Sequence, residues 1–286
     1  MRFAVCNEIF GTMPFPRACR IARQAGFEGM ELAPFTLFGS FTDHEIGHAL
    51  PQIAHVLNDE GLAFVGFHWL LAKPDGLHLA SPDPFVRSRS WDHLRFLLDC
   101  AGALGGGVLV LGSPGQRSTP PGMTRSQVLD ILSDQLARLA PHALECNSLI
   151  LPEALSPDQS DVITSLEEAA GLVAGIGHPA VRMMFDFHNA REERDPPEVL
   201  IERHIRQIAH VHINERDGGP PGSGSTDYVP SMKVLLSAGY MGWISMEIFS
   251  VPEDSRPILK KAVETMKNAE TRALGELQDH TRGGDA

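Results

Sequence analysis

The sequence is poor in cysteine: four stand among 286 residues, at Cys6, Cys19, Cys100 and Cys146, and no two form a Cys-x-x-Cys pair. That excludes a disulfide framework or a zinc ribbon and fits free thiols in a reducing compartment. Long apolar runs are missing as well. None approaches the roughly 18 residues a membrane span needs, and the opening Met-Arg-Phe-Ala-Val lacks the apolar stretch and cleavage site of a secretory leader. A cytoplasmic chain with no membrane partner is expected. Basic residues are scarce beside acids, 24 Lys and Arg against 36 Asp and Glu, for a net charge of −12. Such a surface repels a phosphate backbone, so no nucleic-acid partner is expected. Two phosphate-binding signatures are also absent. Asn7-Glu8-Ile9-Phe10-Gly11, after the first strand, lacks the dinucleotide-binding glycine fingerprint. The glycines of 218–224 lack the Gly-Lys-Ser/Thr ending of a P-loop.

What is present is a chain 43% hydrophobic, in which short apolar runs alternate with longer stretches of helical period. The pattern predicts eight strands, at about 2–7, 29–32, 62–68, 107–112, 148–153, 181–187, 208–213 and 243–249. Helices are predicted near 15–25, 43–60, 84–104, 124–146, 162–175, 196–206, 230–238 and 256–274. Repeated βα units imply a parallel sheet, and eight of them suit a closed (β/α)₈ TIM barrel. No linker or charge block divides the chain, so a single catalytic domain is expected over 1–274, with a polar, frayed tail at 275–286. Two long loops, 69–83 and 215–229, leave the C-terminal ends of strands three and seven, the face where barrel active sites lie; the second reads as a mobile active-site loop.

Alternation along the strands sorts their side chains. Ile244, Met246 and Ile248 face outward and leave Glu247 inward. Met183, Phe185 and Phe187 face outward; Met184, Asp186 and His188 face inward. Ala209, Val211 and Ile213 face outward; His210 and His212 face inward. Glu153 shares the inner face of strand five with Leu149 and Leu151. Glu153, Asp186, His212 and Glu247 thus close four consecutive strands at intervals of 33, 26 and 35 residues, about one βα unit each. Three carboxylates brought together repel one another unless a cation sits between them. One divalent ion with three oxygen ligands and one nitrogen resolves the conflict; Mn²⁺ leads the expectation, with Mg²⁺, Co²⁺ and Zn²⁺ admissible.

Pro152-Glu153, His178-Pro179 leading to Phe185-Asp186-Phe187-His188, His210-Val211-His212, Pro221-Gly222-Ser223-Gly224 and Gly242-Trp243 to Glu247 carry a resemblance to a known family. From Phe3 to about Lys267 the chain resembles the xylose-isomerase-like sugar isomerases and epimerases, with the ketose 3-epimerases, hydroxypyruvate isomerases and inosose dehydratases among them. The resemblance implies one metal held by Glu153, Asp186, His212 and Glu247, with the two glutamates flanking the substrate and exchanging protons with it. It also implies a histidine and an arginine on the substrate, for which His188 and Arg216 are the candidates. The epimerases commonly have two residues between the metal aspartate and that histidine; this chain has only Phe187.

Other residues admit two readings. His68, inward with Phe64 and Gly66 on strand three, could contact substrate or hydrogen-bond inside the barrel. Glu31 could bind a substrate hydroxyl or pair with an arginine. Arg117 could hold a substrate carboxylate or phosphate, or a loop carboxylate. His210, one layer deeper than His212, reads as a core histidine, and Gly105-Gly106-Gly107 as a turn. The expected chemistry is proton transfer beside a carbonyl of a small sugar-like substrate, through a metal-stabilised enediolate, with Glu153 or Glu247 as general base. Isomerisation, epimerisation and dehydration share this constellation; an isomerase or epimerase is favoured over a dehydratase of an inosose or related polyol ketone. An abasic-site endonuclease would need a multi-zinc cluster and a DNA-compatible surface, and a non-catalytic sugar-binding barrel would not need paired glutamates. Homo-dimers or homo-tetramers remain open.

Overall fold

Apolar runs such as Val108-Leu109-Val110-Leu111 are buried on both faces, as strands between an inner core and a helical layer must be. In the computed structural model, which describes residues 1–283 apart from the side chains of 43 and 280–283, eight such strands form one parallel sheet. They are β1 (Arg2–Cys6), β2 (Gly29–Leu32), β3 (Ala63–Phe67), β4 (Val108–Leu111), β5 (Leu149–Pro152), β6 (Met183–Asp186), β7 (Ile208–Ile213) and β8 (Trp243–Met246). Ladders run in the order β5-β4-β3-β2-β1-β8-β7-β6. The ring nearly closes through one bridge beside β6: the Ile150 amide donates to the Ala180 carbonyl at 2.8 Å, and Arg182 donates back to Ile150 at 3.1 Å. The fold is a single-domain (β/α)₈ TIM barrel.

Outside the sheet lie α1 (Phe15–Ala25), α2 (Asp43–Asp59), α3 (Pro84–Ala103), a single turn α4 (Pro114–Arg117), α5 (Arg125–Glu145), α6 (Leu166–Ile176), α7 (Pro197–His204), α8 (Val229–Ser237) and α9 (Ser255–Gly283). Their starts follow from local chemistry. Thr42, Asp83, Thr124 and Ser165 each accept a backbone N–H at a helix start, and Thr124 with Gln127 completes a capping box. Helix α9 continues to Gly283, so the segment from 275, expected to fray, is helical as far as it is described; residues 284–286 lie outside the described residues. No helix among the described residues is long and apolar enough to cross a membrane.

The barrel interior is a small apolar plug of Ala4, Val65, Val108, Val110, Leu151 and Met184, with Leu149, Ala209 and Trp243 against it. Two side chains depart from simple alternation. Phe64, expected inward, packs in the outer core, its ring 5.0 Å from that of Phe67. Ala209, expected outward, packs on the inner plug. Both lie at register shifts. Between Met30↔Phe64 and Glu31↔Gly66, β3 carries one extra residue; between Met183↔Ile208 and Met184↔His210, β7 does the same. A bulge adds a residue without a partner and flips the parity on one side of it. Above the plug the interior turns polar, and the site begins.

Candidate active site

The four strand-end residues meet. Glu153 and Glu247 follow the last residues of β5 and β8, Asp186 ends β6, and His212 lies near the end of β7, so the glutamates occupy the two ends of a four-strand arc. One ligand atom from each lies within 4.8 Å of the others, and all four residues are buried. Donors around one ion at about 2.1 Å stand roughly 3–4.3 Å apart, so the residues fit a single divalent cation. The glycine after β4 makes the room: a Cβ on Gly112 would lie 2.3 Å from Glu153 Oε2.

His212 is held from beneath. Its Nε2 faces Glu31 Oε1 at 2.9 Å, while Nδ1 faces Glu247 Oε2 at 3.0 Å and Asp186 Oδ2 at 3.7 Å. A proton on Nε2 given to Glu31 leaves the Nδ1 lone pair directed at the carboxylates, the orientation a metal ligand needs. Glu31 Oε2 takes the neighbouring His210 Nε2 at 2.7 Å. Asp186 accepts the Asn189 amide at 2.6 Å and Asn214 Nδ2 at 3.1 Å; Glu153 Oε1 accepts Asn189 Nδ2 at 2.9 Å. Gln159 then donates to Asn189 Oδ1 at 2.8 Å.

The electrostatics record the crowding. Burial, then the charges of Glu247 and Asp186, push Glu153 from the ordinary 4.5 to about 8. Asp186 is raised by burial and Glu247. Burial also opposes the charge on Glu247, but His212 outweighs it and holds the pKa low. Glu31 lies well below the usual range because His212 and His210 overcome its burial, and His212 well above it because Glu31 and Glu247 do the same.

A profile of the xylose isomerase-like TIM barrel family matches residues 19–269. The chain belongs to that family. Fructoselysine 3-epimerase of Escherichia coli O157:H7 is 20% identical over 264 residues, 89% of this chain and 93% of that protein. A structure of L-ribulose 3-epimerase superposes with a TM-score of 0.83 at 19% identity, covering 97% of both chains. A structure from Brucella melitensis described as an AP endonuclease of family 2 gives 0.73 at 25% identity, over 90% of this chain and 96% of that one.

The remaining candidates of this family member fall in different places. His68 and Trp69 line the cavity at the mouth with Gly112, Ser113, Gln159, Asn189 and Phe249. His68 Nε2 lies 2.7 Å from Glu8 Oε2. Glu31 is fully buried and meets histidines, not an arginine. Arg117 is also fully buried; its Nη1 donates to the Leu111 carbonyl at 3.0 Å, and its Nε and Nη2 make no hydrogen bond within the protein. Burial lowers its pKa to about 10 against the pull of Glu153. His188 turns to the 215–229 loop: Nδ1 donates to the Arg216 carbonyl at 2.8 Å and the ring packs 4.9 Å from Phe249. Arg216 is exposed and donates to the Arg191 carbonyl, along an outer groove with Phe187 and Pro196. That loop, expected to move, is fastened by the Glu215 carboxylate, which accepts the amides of Gly222 and Thr226 and the Thr226 hydroxyl.

Sequence reasoning missed Glu8, Asn189 and Gln159. One signal pointed to Asn189: it is the third residue after Asp186, where the resemblance places a histidine.

Proposed function

We propose that the chain is a divalent-metal-dependent isomerase or epimerase of a small keto-sugar, working by proton transfer beside a carbonyl. The observation that carries this reading is the pair Glu153 and Glu247, at opposite ends of the arc, both lining the same cavity, with Asp186 and His212 between them. The names of the relatives, fructoselysine 3-epimerase and L-ribulose 3-epimerase, support it. Glu153, Asp186, His212 and Glu247 would hold the ion, with Mn²⁺ first and Mg²⁺, Co²⁺ or Zn²⁺ as alternatives. Once bound, the ion supplies positive charge against the negative charge that builds on substrate oxygen as the proton leaves.

One glutamate takes that proton as general base. Return by the same carboxyl to the neighbouring carbon gives isomerisation; return by the other carboxyl to the opposite face gives epimerisation. Loss of a hydroxyl from the carbon beyond gives dehydration, the alternative outcome on the same residues. Asn189, on Glu153 Oε1, holds that carboxylate in place and is itself oriented by Gln159. Trp69 and Phe249, 36% and 47% exposed at the mouth, offer apolar faces to the C–H side of a sugar. The described residues lining the cavity include no lysine or arginine, which supports an unphosphorylated substrate. His68, Glu8 and Ser113 are the candidate partners for its hydroxyls, while Arg117, Arg216, His188 and Glu31 would act from outside the contact shell.

A panel of free ketoses and inososes, each with its phosphate ester where one exists, tests the reading. Incubated with Mn²⁺ or with chelator, the protein should convert a free ketose to its epimer or isomer only with metal. Turnover confined to a phosphate ester, or unaffected by chelation, would contradict it.

A further inference from the structure

The second place where metal-ligating side chains converge lies outside the barrel. Asp99 on α3 meets His142 and Cys146 of α5 and its C-terminal cap. His142 and Cys146 are four residues apart, so they share one helix face. His142 Nε2 lies 2.8 Å from Asp99 Oδ1; Cys146 Sγ lies 3.7 Å from His142 Nε2 and 3.9 Å from Asp99 Oδ1. Around a tetrahedral zinc ion, such ligand atoms stand about 3.3–3.6 Å apart, so small side-chain adjustments would convert this triangle into three corners of a tetrahedron. The other ring nitrogen, His142 Nδ1, faces Glu145 Oε2 at 3.5 Å. Ligation through Nε2 would leave the imidazole proton on Nδ1, where the Glu145 carboxylate can accept it. The carboxyl-terminal ends of α3 and α5 add their negative dipole ends.

We propose that Asp99, His142 and Cys146 form a second metal site, separate from the mouth, that takes one thiophilic divalent ion such as Zn²⁺ or Co²⁺. Water completes the coordination, and binding releases the Cys146 thiol proton. The two sites then divide metals by ligand chemistry: three carboxylates and an imidazole at the mouth, and thiolate, imidazole and carboxylate outside. The outer ion would clamp α3 to α5.

Cobalt titration of the full-length, chelator-stripped protein tests this, because thiolate ligation to Co²⁺ gives a near-ultraviolet charge-transfer band. The band should saturate by about two equivalents, since the mouth also admits Co²⁺, vanish on Zn²⁺ addition, and be missing in Cys146→Ser and strongly weakened in His142→Ala. It should persist in Cys6→Ser and in Asp186→Asn. Cys146→Ser, folded by circular dichroism, should keep its Mn²⁺-supported turnover, so this result and the mouth assignment stand or fall separately. No thiolate band in the native protein, or a band surviving in Cys146→Ser, would overturn the proposal.

Discussion

Glu31 sits beneath the four converging residues and faces Nε2 of His212, leaving Nδ1 toward Glu247 and the proposed metal position. Glu31→Gln keeps the shape, weakens the hold on the Nε2 proton, and should reduce Mn²⁺ affinity about 10–100-fold. Titration monitored by Mn²⁺ paramagnetic resonance reads this; unchanged affinity would mean that His212 needs no such support. The sequence made Glu31 visible as an inward residue at a strand end, but its partners His210 and His212 are 179 and 181 residues away, and only the closed ring brings them together. The convergence of Glu153, Asp186, His212 and Glu247 was legible because strand alternation survives near the ends of β5, β6, β7 and β8. Glu8 and Asn189 stand in single 3-10 turns and Gln159 in a loop, segments too short for a period to be read.

At the scale of elements, strand positions were legible because buried parallel strands are short apolar blocks. The two bulges were not, because an extra residue in Ala63–Phe67 or Ile208–Ile213 leaves the hydrophobic pattern intact while reversing the direction of Phe64 or Ala209. Gly66, at the first bulge, shows what the packing requires: a Cβ there would lie 2.0 Å from the Val108 carbonyl oxygen. Gly66→Ala should therefore cost about 1–3 kcal/mol of stability, seen as a lower midpoint in urea. Gly112→Ala should behave differently, because its new methyl group meets the Glu153 carboxylate and not backbone. Turnover should fall steeply while the urea midpoint moves little. Equal losses of stability in the two variants would contradict this division between packing and site.

For the molecule as a whole, the metal-free protein should respond to pH through its buried carboxylates. Folding raises Glu153 from 4.5 to about 8, so the folded chain keeps a proton that the unfolded chain has released. Stability of stripped protein should thus decline as pH climbs from about 4.5 to about 8. His212 and His68, both raised, add to the decline above 6.5, whereas His210, lowered by burial, opposes the decline only below 6.5. Saturating Mn²⁺ replaces the proton and should flatten the profile; thermal melts across that range, with and without metal, check it. The net charge of −12 also predicts no tight binding or cleavage of duplex DNA carrying an abasic site, despite the name of the Brucella melitensis structure.

In the proposed reaction Glu153 and Glu247 move the substrate proton. An active ketose incubated with the Mn²⁺-loaded protein in D₂O should acquire deuterium at the carbon beside the carbonyl. The Glu153→Gln/Glu247→Gln double variant, with metal occupancy verified, should lose that exchange by at least about 10²–10⁴-fold, the contribution of a general base. Exchange at the native rate in the metal-loaded double variant would contradict the account.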